Sequence, residues 1–307
     1  MMDSVKVSVI IPVYNVAPFL AKALDSVINQ TLKDIEIICI DDCSTDNSLE
    51  ILNKYALNDS RITVFKQNRN QGQGIARNRG IDIARGEIVM FLDPDDWYTL
   101  DACEKAYNQI IKNENDFVYM NYCHYIENEG SVKYKDADYH LQDLWNEIDN
   151  PHIRLHELHN NFWRNVNPVC RAYKREFLIK NNIKFDETVR MNEDILFFTK
   201  VIMYSNTTSI IPDELYIIRD RENSTSKTTE YYLDTITTRK NAYELIKNSK
   251  YYEDLKIPCL CYMCTVLLHF NRLSKSDKKI KKDFYNKLRE FFIYLSENED
   301  MEIIKDY

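Results

Sequence analysis

Three carboxylates follow a short apolar run and provide the first sign of chemistry in this chain. Residues 89–92 are apolar and predict a buried strand. The acids that come directly after it, around a proline, are Asp93, Asp95 and Asp96. Mg²⁺ and Mn²⁺ prefer carboxylate oxygens and take their remaining ligands from water and substrate phosphates. The motif therefore predicts a divalent-metal site, and an acidic turn that caps the next helix is the alternative.

Polar residues also follow two earlier apolar segments. Residues 5–13 are followed by Asn15, and residues 35–40 by Asp41 and Asp42. Amphipathic helices between the predicted strands give the order β-α-β-α-β-α-β with short connections, which favours a parallel sheet covered on both faces. Ligands of such sheets bind outside the carboxyl ends of the strands. These polar residues and the acids after residue 92 are therefore predicted to share one binding edge.

Composition limits the classes of function. The 307 residues include 40 basic and 48 acidic side chains, for a net charge of −8, which argues against a general nucleic-acid binder. An anionic ligand must then be met by local basic groups. No signal peptide is recognisable, and no apolar run is long enough to span a bilayer. Eight scattered cysteines in apolar surroundings indicate a reduced, cytoplasmic protein.

Two other groups of potential metal ligands are weaker. Cys259, Cys261 and Cys264 lie in an apolar helical run, where buried thiols are favoured over a structural zinc site. Four of the six histidines lie between residues 140 and 159, at a spacing that matches no metal-ligand motif.

Residues 171–179 predict a further helix.

Four motifs occur in a characteristic order, and they read SVIIPVYN, DDCSTDNS, NQGQGIARNRG and FLDPDDW. Over residues 6–221 the sequence resembles family 2 glycosyltransferases of the GT-A fold, which use nucleotide-activated sugars. The resemblance implies an α/β fold with a mostly parallel, Rossmann-like central sheet flanked by helices. It also implies a catalytic domain over 1–227, with a nucleotide-sugar half at 1–100 and an acceptor half at 101–227. A helical extension would follow at 228–307.

The resemblance assigns roles at the predicted nucleotide site. Asp95 would bind Mn²⁺ or Mg²⁺ at the donor diphosphate, and Asp93 would contact a ribose hydroxyl or the metal. Asp96 would support the groups that bind the metal. Other residues that would contact the nucleotide-sugar are Pro12, Tyr14, Asp41, Asp42, Gly74, Arg77 and Asn78. The late histidine that many GT-A enzymes offer to the metal is not evident here, which leaves the full set of ligands open.

The resemblance also assigns residues to the acceptor and to a closing loop. Asp194 would be the general base that removes the proton of the acceptor hydroxyl, and Glu193 would orient it or bind acceptor. A helix cap is the local alternative for this region. Arg219 and Arg221 would contact phosphate from a loop after the last core strand, and a solvated polar loop is the alternative.

The predicted function is a metal-dependent, inverting hexosyl- or N-acetylhexosaminyltransferase. It would move a sugar from a nucleotide donor, in our interpretation a UDP-sugar, to a saccharide or lipid-linked saccharide in surface glycan synthesis. A sugar nucleotidyltransferase would require a glycine-rich, basic phosphate loop after the first strand, where residues 14–17 read YNVA. A non-catalytic sugar- or nucleotide-binding scaffold is a third hypothesis, although it would not need Asp194 beside Asp93 and Asp95.

The C-terminal region predicts a basic amphipathic helix. Four lysines between residues 278 and 282 precede apolar residues at helical spacing from Phe284 to Leu295. One interpretation is a helix docked on the catalytic domain or on a second subunit in a homodimer. The other is peripheral contact with the inner face of the plasma membrane, where lipid-linked acceptors reside.

Overall fold

The computed structural model describes residues 5–128, 131–136, 167–220, 229–264, 266 and 278–298. These residues form two compact units. The first contains the described residues up to 185 together with 204–220. The second contains 186–203 and the described residues from 229 onward. Residues 186–203, which the sequence placed in the predicted catalytic domain, thus group with the C-terminal helices.

In the described part of the first unit, nine strands form one sheet. Its parallel half has the spatial order β3-β2-β1-β4, with bounds β1 Val7–Val13, β2 Ile35–Asp41, β3 Ile62–Lys66 and β4 Ile88–Phe91. The sheet continues through β8 Arg171–Lys174, β6 Phe117–Asn128, β9 Thr208–Arg219 and β5 Trp97–Tyr98. Strand β7 Ser131–Asp136 pairs with β6.

Helices link the parallel strands as the sequence predicts. The three that follow β1, β2 and β3 are α1 Ala17–Ile28, α2 Ser48–Asn58 and α3 Gln73–Ile83. The other two of the described first unit are α4 Ala102–Asn113 and α5 Arg175–Lys180. Every residue of β1, β2 and β4 is buried, as expected for strands covered on both faces.

The predicted helix over residues 171–179 is wrong at its start. Residues Arg171–Lys174 form β8, which lies antiparallel between β4 and β6, and α5 begins only at Arg175. The backbone groups of two buried strands need partners on both sides, and β8 supplies them. This pairing between distant segments overrides the helical pattern of the local sequence.

Gly80 brings helix α3 close to strand β1. A Cβ atom at Gly80 would overlap the side chain of Ile10 on that strand. The absence of a side chain therefore lets the helix approach the sheet. Since α3 carries Arg77 and Asn78, this contact helps to set where both side chains lie at the predicted binding edge.

We expect Gly80→Ala to lower the free energy of unfolding by about 1–3 kcal/mol through overpacking against Ile10. This would occur even though alanine favours a helix over glycine by about 1 kcal/mol. Urea unfolding of the variant, compared with Arg79→Ala on the exposed side of the same helix, would measure the effect. A Gly80→Ala variant as stable as the native protein would contradict the close approach.

The described second unit is helical. Its helices are α6 Glu193–Tyr204, α7 Thr229–Lys247, α8 Tyr252–Cys264 and α9 Lys278–Asn298. Helix α9 is the predicted basic amphipathic helix, and its buried residues are Phe284, Leu288, Phe291 and Leu295. It packs against α7, where Lys247 donates to Asn298 at 2.6 Å and Tyr294 bonds to Glu244. Among the described residues, no helix is long and apolar enough to cross a membrane.

Candidate active site

The acidic turn, residues 93–96, leaves the carboxyl end of β4 and is held by β9. The amide of Asp96 donates to the Asp93 carbonyl at 3.1 Å, which closes the turn. The Asp96 carboxylate accepts from the Tyr216 hydroxyl and from the Arg219 amide, both at 2.8 Å. The amide of Asp93 donates to the same Tyr216 hydroxyl at 3.2 Å. Two residues of one strand thus fix both ends of the turn.

The three acids of the turn differ in exposure. Asp96 is only 6% exposed, whereas Asp93 and Asp95 are half-buried. Burial raises the pKa of Asp96 well above its usual range, and the nearby charges of Asp95 and Asp93 add to this effect. Hydrogen bonds from β9 oppose it. Asp96 is therefore an enclosed support of the turn, and the other two carboxylates are the ones that solvent can reach.

Arg77 places a buried cation beside the turn. Its Nη2 lies 2.7 Å from Oδ1 of Asp93, its side chain is 3% exposed, and its guanidinium lies over the ring of Phe185. Asn78 fixes Phe185 by donating to its carbonyl at 3.1 Å and accepting from its amide at 2.8 Å. A metal ion at Asp93 would therefore compete with Arg77 for one carboxylate oxygen.

Asp42, at the end of β2, holds the loop that leads into α3. Its buried carboxylate accepts from Gln67 Nε2 at 2.7 Å, from the Gln71 amide at 2.8 Å and from the Gly72 amide at 2.7 Å. Gly72 has a φ of +94°, a conformation that side chains other than glycine rarely adopt. The carboxylate thereby positions the start of the helix that carries Arg77.

Asp41 and Asn15 lie at the ends of neighbouring strands. Asp41 is fully buried, and its carboxylate accepts from the Ser44 amide at 3.3 Å. The side-chain oxygen of Asn15 accepts from the amides of Thr45 at 2.8 Å and Asp46 at 3.3 Å, which ties the loop after β2 to the end of β1. The carboxyl ends of β1, β2 and β4 thus form the polar edge that the sequence predicts.

Arg219, a predicted phosphate ligand, contacts the acidic turn. Its Nε donates to the Asp95 carbonyl at 3.1 Å. Its guanidinium lies 4.9 to 5.3 Å from the ring centres of Phe19, Trp97 and Tyr125. Such stacking holds a cation in place through the electron-rich faces of the rings. A phosphate contact of Arg219 stays a prediction.

The predicted site residues fall in both units. The first unit contains Pro12, Tyr14, Asp41, Asp42, Gly74, Arg77, Asn78, Asp93, Asp95 and Arg219. Glu193 and Asp194 form the first turn of α6 in the second unit, where the helix dipole favours a carboxylate. Arg221 and the histidines at positions 140, 152, 156 and 159 lie outside the described residues.

The carboxylates of the acidic turn suit a hard divalent cation. Mg²⁺ and Mn²⁺ in enzymes are commonly bound through one or two carboxylates, with phosphate and water as further ligands. Half-buried Asp93 and Asp95 provide that donor set. Within the described ranges, no three His, Cys, Asp or Glu side chains are grouped to hold a metal by themselves. A cation held by Asp93 and Asp95 would take its remaining ligands from water or substrate.

Sequence reasoning missed the residues that support the site. Gln67 and Gln71 belong to a polar loop, and their bonds to a distant aspartate leave no periodic signal. Tyr216 lies in a strand of apolar residues and looks like core. Gly72 and Gly74, which alternate with Gln71 and Gln73, are the local signs of a constrained loop in that region.

We expect Asp42→Ala to lower the free energy of unfolding by about 2–4 kcal/mol, since three donors would lose their acceptor. Denaturant unfolding followed by circular dichroism would measure this. Asp82→Ala is the matched control, because Asp82 is an exposed aspartate whose surface pair with Lys184 contributes about 1 kcal/mol or less. Equal stability of the two variants would show that other contacts hold the loop.

Comparison with known proteins agrees with this architecture. The family described as Glycosyl transferase family 2 matches residues 8–181. Glycosyltransferase GlyG of Streptococcus pneumoniae is 30% identical over 229 residues, which cover 72% of this chain and 73% of that protein. The poly(ribitol-phosphate) beta-glucosyltransferase of Bacillus spizizenii is 29% identical over 296 residues. These cover 95% of this chain but 44% of that protein, so the chain spans less than half of its length.

The fold is similar to that of a solved structure. The crystal structure of S. aureus TarS residues 1–349 in complex with UDP-GlcNAc has a TM-score of 0.74 and 24% sequence identity. The similarity covers 93% of this chain and 80% of that chain. The predicted GT-A fold class is thereby confirmed. With four motifs in order along this sheet and a family match over more than half of its length, the chain belongs to glycosyl transferase family 2.

Proposed function

We propose that this protein is a metal-dependent, inverting glycosyltransferase that moves a sugar from a UDP-linked donor to a saccharide hydroxyl in surface glycan synthesis. The observation that carries the proposal is the acidic turn, which is fastened at the carboxyl edge of the parallel sheet beside buried Arg77. Such an edge is where sheets of this kind bind nucleotides. The resemblance of TarS, a protein solved with UDP and with UDP-GlcNAc, supports a uridine nucleotide.

The first unit would bind the nucleotide-sugar. Asp41 would accept a hydrogen bond from uracil or ribose, and Asp93 would accept one from a ribose hydroxyl. Pro12 and Tyr14 would border the base, and Tyr14 is exposed enough to be reached. The structure gives Asp42 and Asn78 supporting bonds to neighbouring segments. We therefore expect these two residues to affect donor binding through the position of α3.

Asp95, with Asp93, would hold Mn²⁺ or Mg²⁺, whose positive charge would stabilise the diphosphate as it leaves. The chain's own contribution is a fixed arrangement of charge at this place. Arg77 adds a cation whose position is set by Phe185 and Asp93. Arg219 and Arg221 would add charge-assisted bonds to phosphate from the end of β9.

The transfer would be a single displacement at the anomeric carbon. The acceptor oxygen forms a bond to that carbon while the bond to the diphosphate oxygen breaks, and the bonding pair leaves with the diphosphate. Asp194 would take the proton of the acceptor hydroxyl, a contribution typically worth about 10²–10⁴-fold in rate. Glu193 would orient Asp194 or bind the acceptor. Inversion follows from attack on the face opposite the leaving group.

The acceptor would be a saccharide or a lipid-linked saccharide. The support is the match over 95% of this chain to an enzyme named poly(ribitol-phosphate) beta-glucosyltransferase. Exposed lysines on α9 would suit contact with an anionic membrane, while its buried apolar side favours docking within the protein. A second copy of the chain is a further candidate for that outer surface.

Nucleotide specificity and metal dependence can be tested together by calorimetry. We expect UDP to bind at least tenfold more tightly than GDP or CMP, and Mn²⁺ to raise the UDP affinity at least tenfold, about 1.4 kcal/mol. Asp95→Ala should lose the effect of Mn²⁺, and the exposed-site variant Asp82→Ala should keep it. Absence of binding of any nucleotide under every condition would refute the proposed function.

The base can be tested separately from the donor site. We expect Asp194→Asn to reduce the rate of sugar transfer by about 10²–10⁴-fold, because proton removal is lost, while the UDP affinity stays unchanged. UDP release from UDP-sugars in the presence of saccharide acceptors would measure the rate, and calorimetry the affinity. Unchanged transfer in Asp194→Asn would remove Asp194 from the mechanism. UDP binding by the native protein without any sugar transfer would favour the scaffold hypothesis.

A further inference from the structure

The Tyr216 hydroxyl joins two parts of the acidic turn. A phenol has one hydrogen to donate and can also accept. In Tyr216 it donates to Oδ2 of Asp96 at 2.8 Å and accepts from the amide of Asp93 at 3.2 Å. The residue is fully buried, and removal of the hydroxyl would leave both groups short of a partner. This one oxygen bridges the two residues that flank Pro94 and Asp95.

An irregularity in β9 aims Tyr216 at the turn. In the pairing with β6, Met120 lies opposite Ile211, but Tyr122 lies opposite Tyr216. Between these two pairs, β9 advances by five residues while β6 advances by two. Side chains alternate between the two faces of a strand. Because β9 has three extra residues here, an odd number, each later side chain of β9 points to the opposite face from the one it would otherwise take. Gain or loss of one residue in 212–215 would make Tyr216 point to the opposite side of the sheet.

The ring of Tyr216 is itself held in place. It meets the ring of Tyr98 edge to face, with 5.3 Å between ring centres, and the two residues are paired across β5 and β9. The Tyr98 hydroxyl donates to the carbonyl of Phe91, the last residue of β4. Strand β4, which leads into the turn, and strand β9, which bonds to it, are therefore connected through two buried tyrosines.

We propose that Tyr216 is a positioning residue for the divalent cation. Through its bonds to Asp93 and Asp96, it sets the direction in which the turn presents its half-buried carboxylates. Residues that orient metal ligands without touching the metal typically change metal affinity about 10–100-fold when removed. The inference rests on the proposed metal-dependent function. A tyrosine that only fills the core would affect stability without changing the metal requirement.

The test is a titration of the full-length Tyr216→Phe variant with UDP at increasing concentrations of Mn²⁺. Phenylalanine keeps the ring and removes only the bridging hydroxyl. We expect the Mn²⁺ concentration for half-maximal enhancement of UDP binding to rise about tenfold. At saturating Mn²⁺, the UDP affinity should return to within about threefold of the native value.

Tyr173→Phe is the matched control. Tyr173 is equally buried, and its hydroxyl donates to the Pro168 carbonyl at 3.2 Å, whereas that of Tyr216 bonds to the acidic turn. We expect a comparable decrease in melting temperature for both variants and an altered Mn²⁺ requirement only for Tyr216→Phe. An unchanged Mn²⁺ requirement in Tyr216→Phe, or an equal change in Tyr173→Phe, would overturn the proposal.

Asp96→Asn provides an independent test of the proposal, which remains usable if Tyr216→Phe does not fold. The Tyr216 hydroxyl and the Arg219 amide donate to different oxygens of Asp96. Asparagine replaces one of these oxygens with an NH₂ group, which cannot accept, so we expect a similar rise in the Mn²⁺ requirement. In the double variant the rise should be smaller than the product of the two single changes, because both substitutions disturb the bonds of the Asp96 carboxylate. An unchanged requirement in Asp96→Asn, or additive changes in the pair, would refute it. Failure of the native protein to respond to Mn²⁺ would instead refute the proposed function.

Discussion

Burial of a carboxylate requires donors, and this requirement organises the polar edge of the sheet. A buried polar group without hydrogen bonds is costly, so enclosed aspartates must be matched by groups from elsewhere in the chain. Asp42 draws in the loop before α3, and Asp96 draws in the end of β9. Each thereby connects a strand end to a segment that is distant in sequence. The edge is assembled by these bonds and does not follow from the sheet alone.

The same requirement separates neighbouring aspartates into different tasks. Asp96 is enclosed and bonded by β9, while Asp93 and Asp95, in the same turn, remain half-buried. Asp42 binds a loop, while Asp41 accepts two long hydrogen bonds, 3.3 and 3.4 Å, from the Ser44 amide. Chemically equal side chains are thus enclosed or open to solvent according to what surrounds them. A motif of several adjacent acids can for this reason supply both the ligands and their support.

Much of the first unit could be predicted because its signals are local. Continuous apolar runs gave β1, β2 and β4, and their buried faces agree with those runs. The short strand β8 could not be found in this way, since it forms through pairing with β4 and β6 while its own sequence favours a helix. The supporting role of Tyr216 was hidden for a related reason. It depends on a contact made 120 residues away in sequence, at Asp96.

The irregular part of β9 also restricts how the chain can vary in length. Pro212 and Asp213 are exposed, so they resemble an ordinary surface segment that tolerates insertion or deletion. Yet the number of residues there determines to which face of the sheet each later side chain of β9 points. Loss of one residue would turn Tyr216 away from the acidic turn and direct a neighbour, Leu215 or Ile217, toward two polar groups. At the register shift of β9, the number of residues is thus under tighter constraint than their identity.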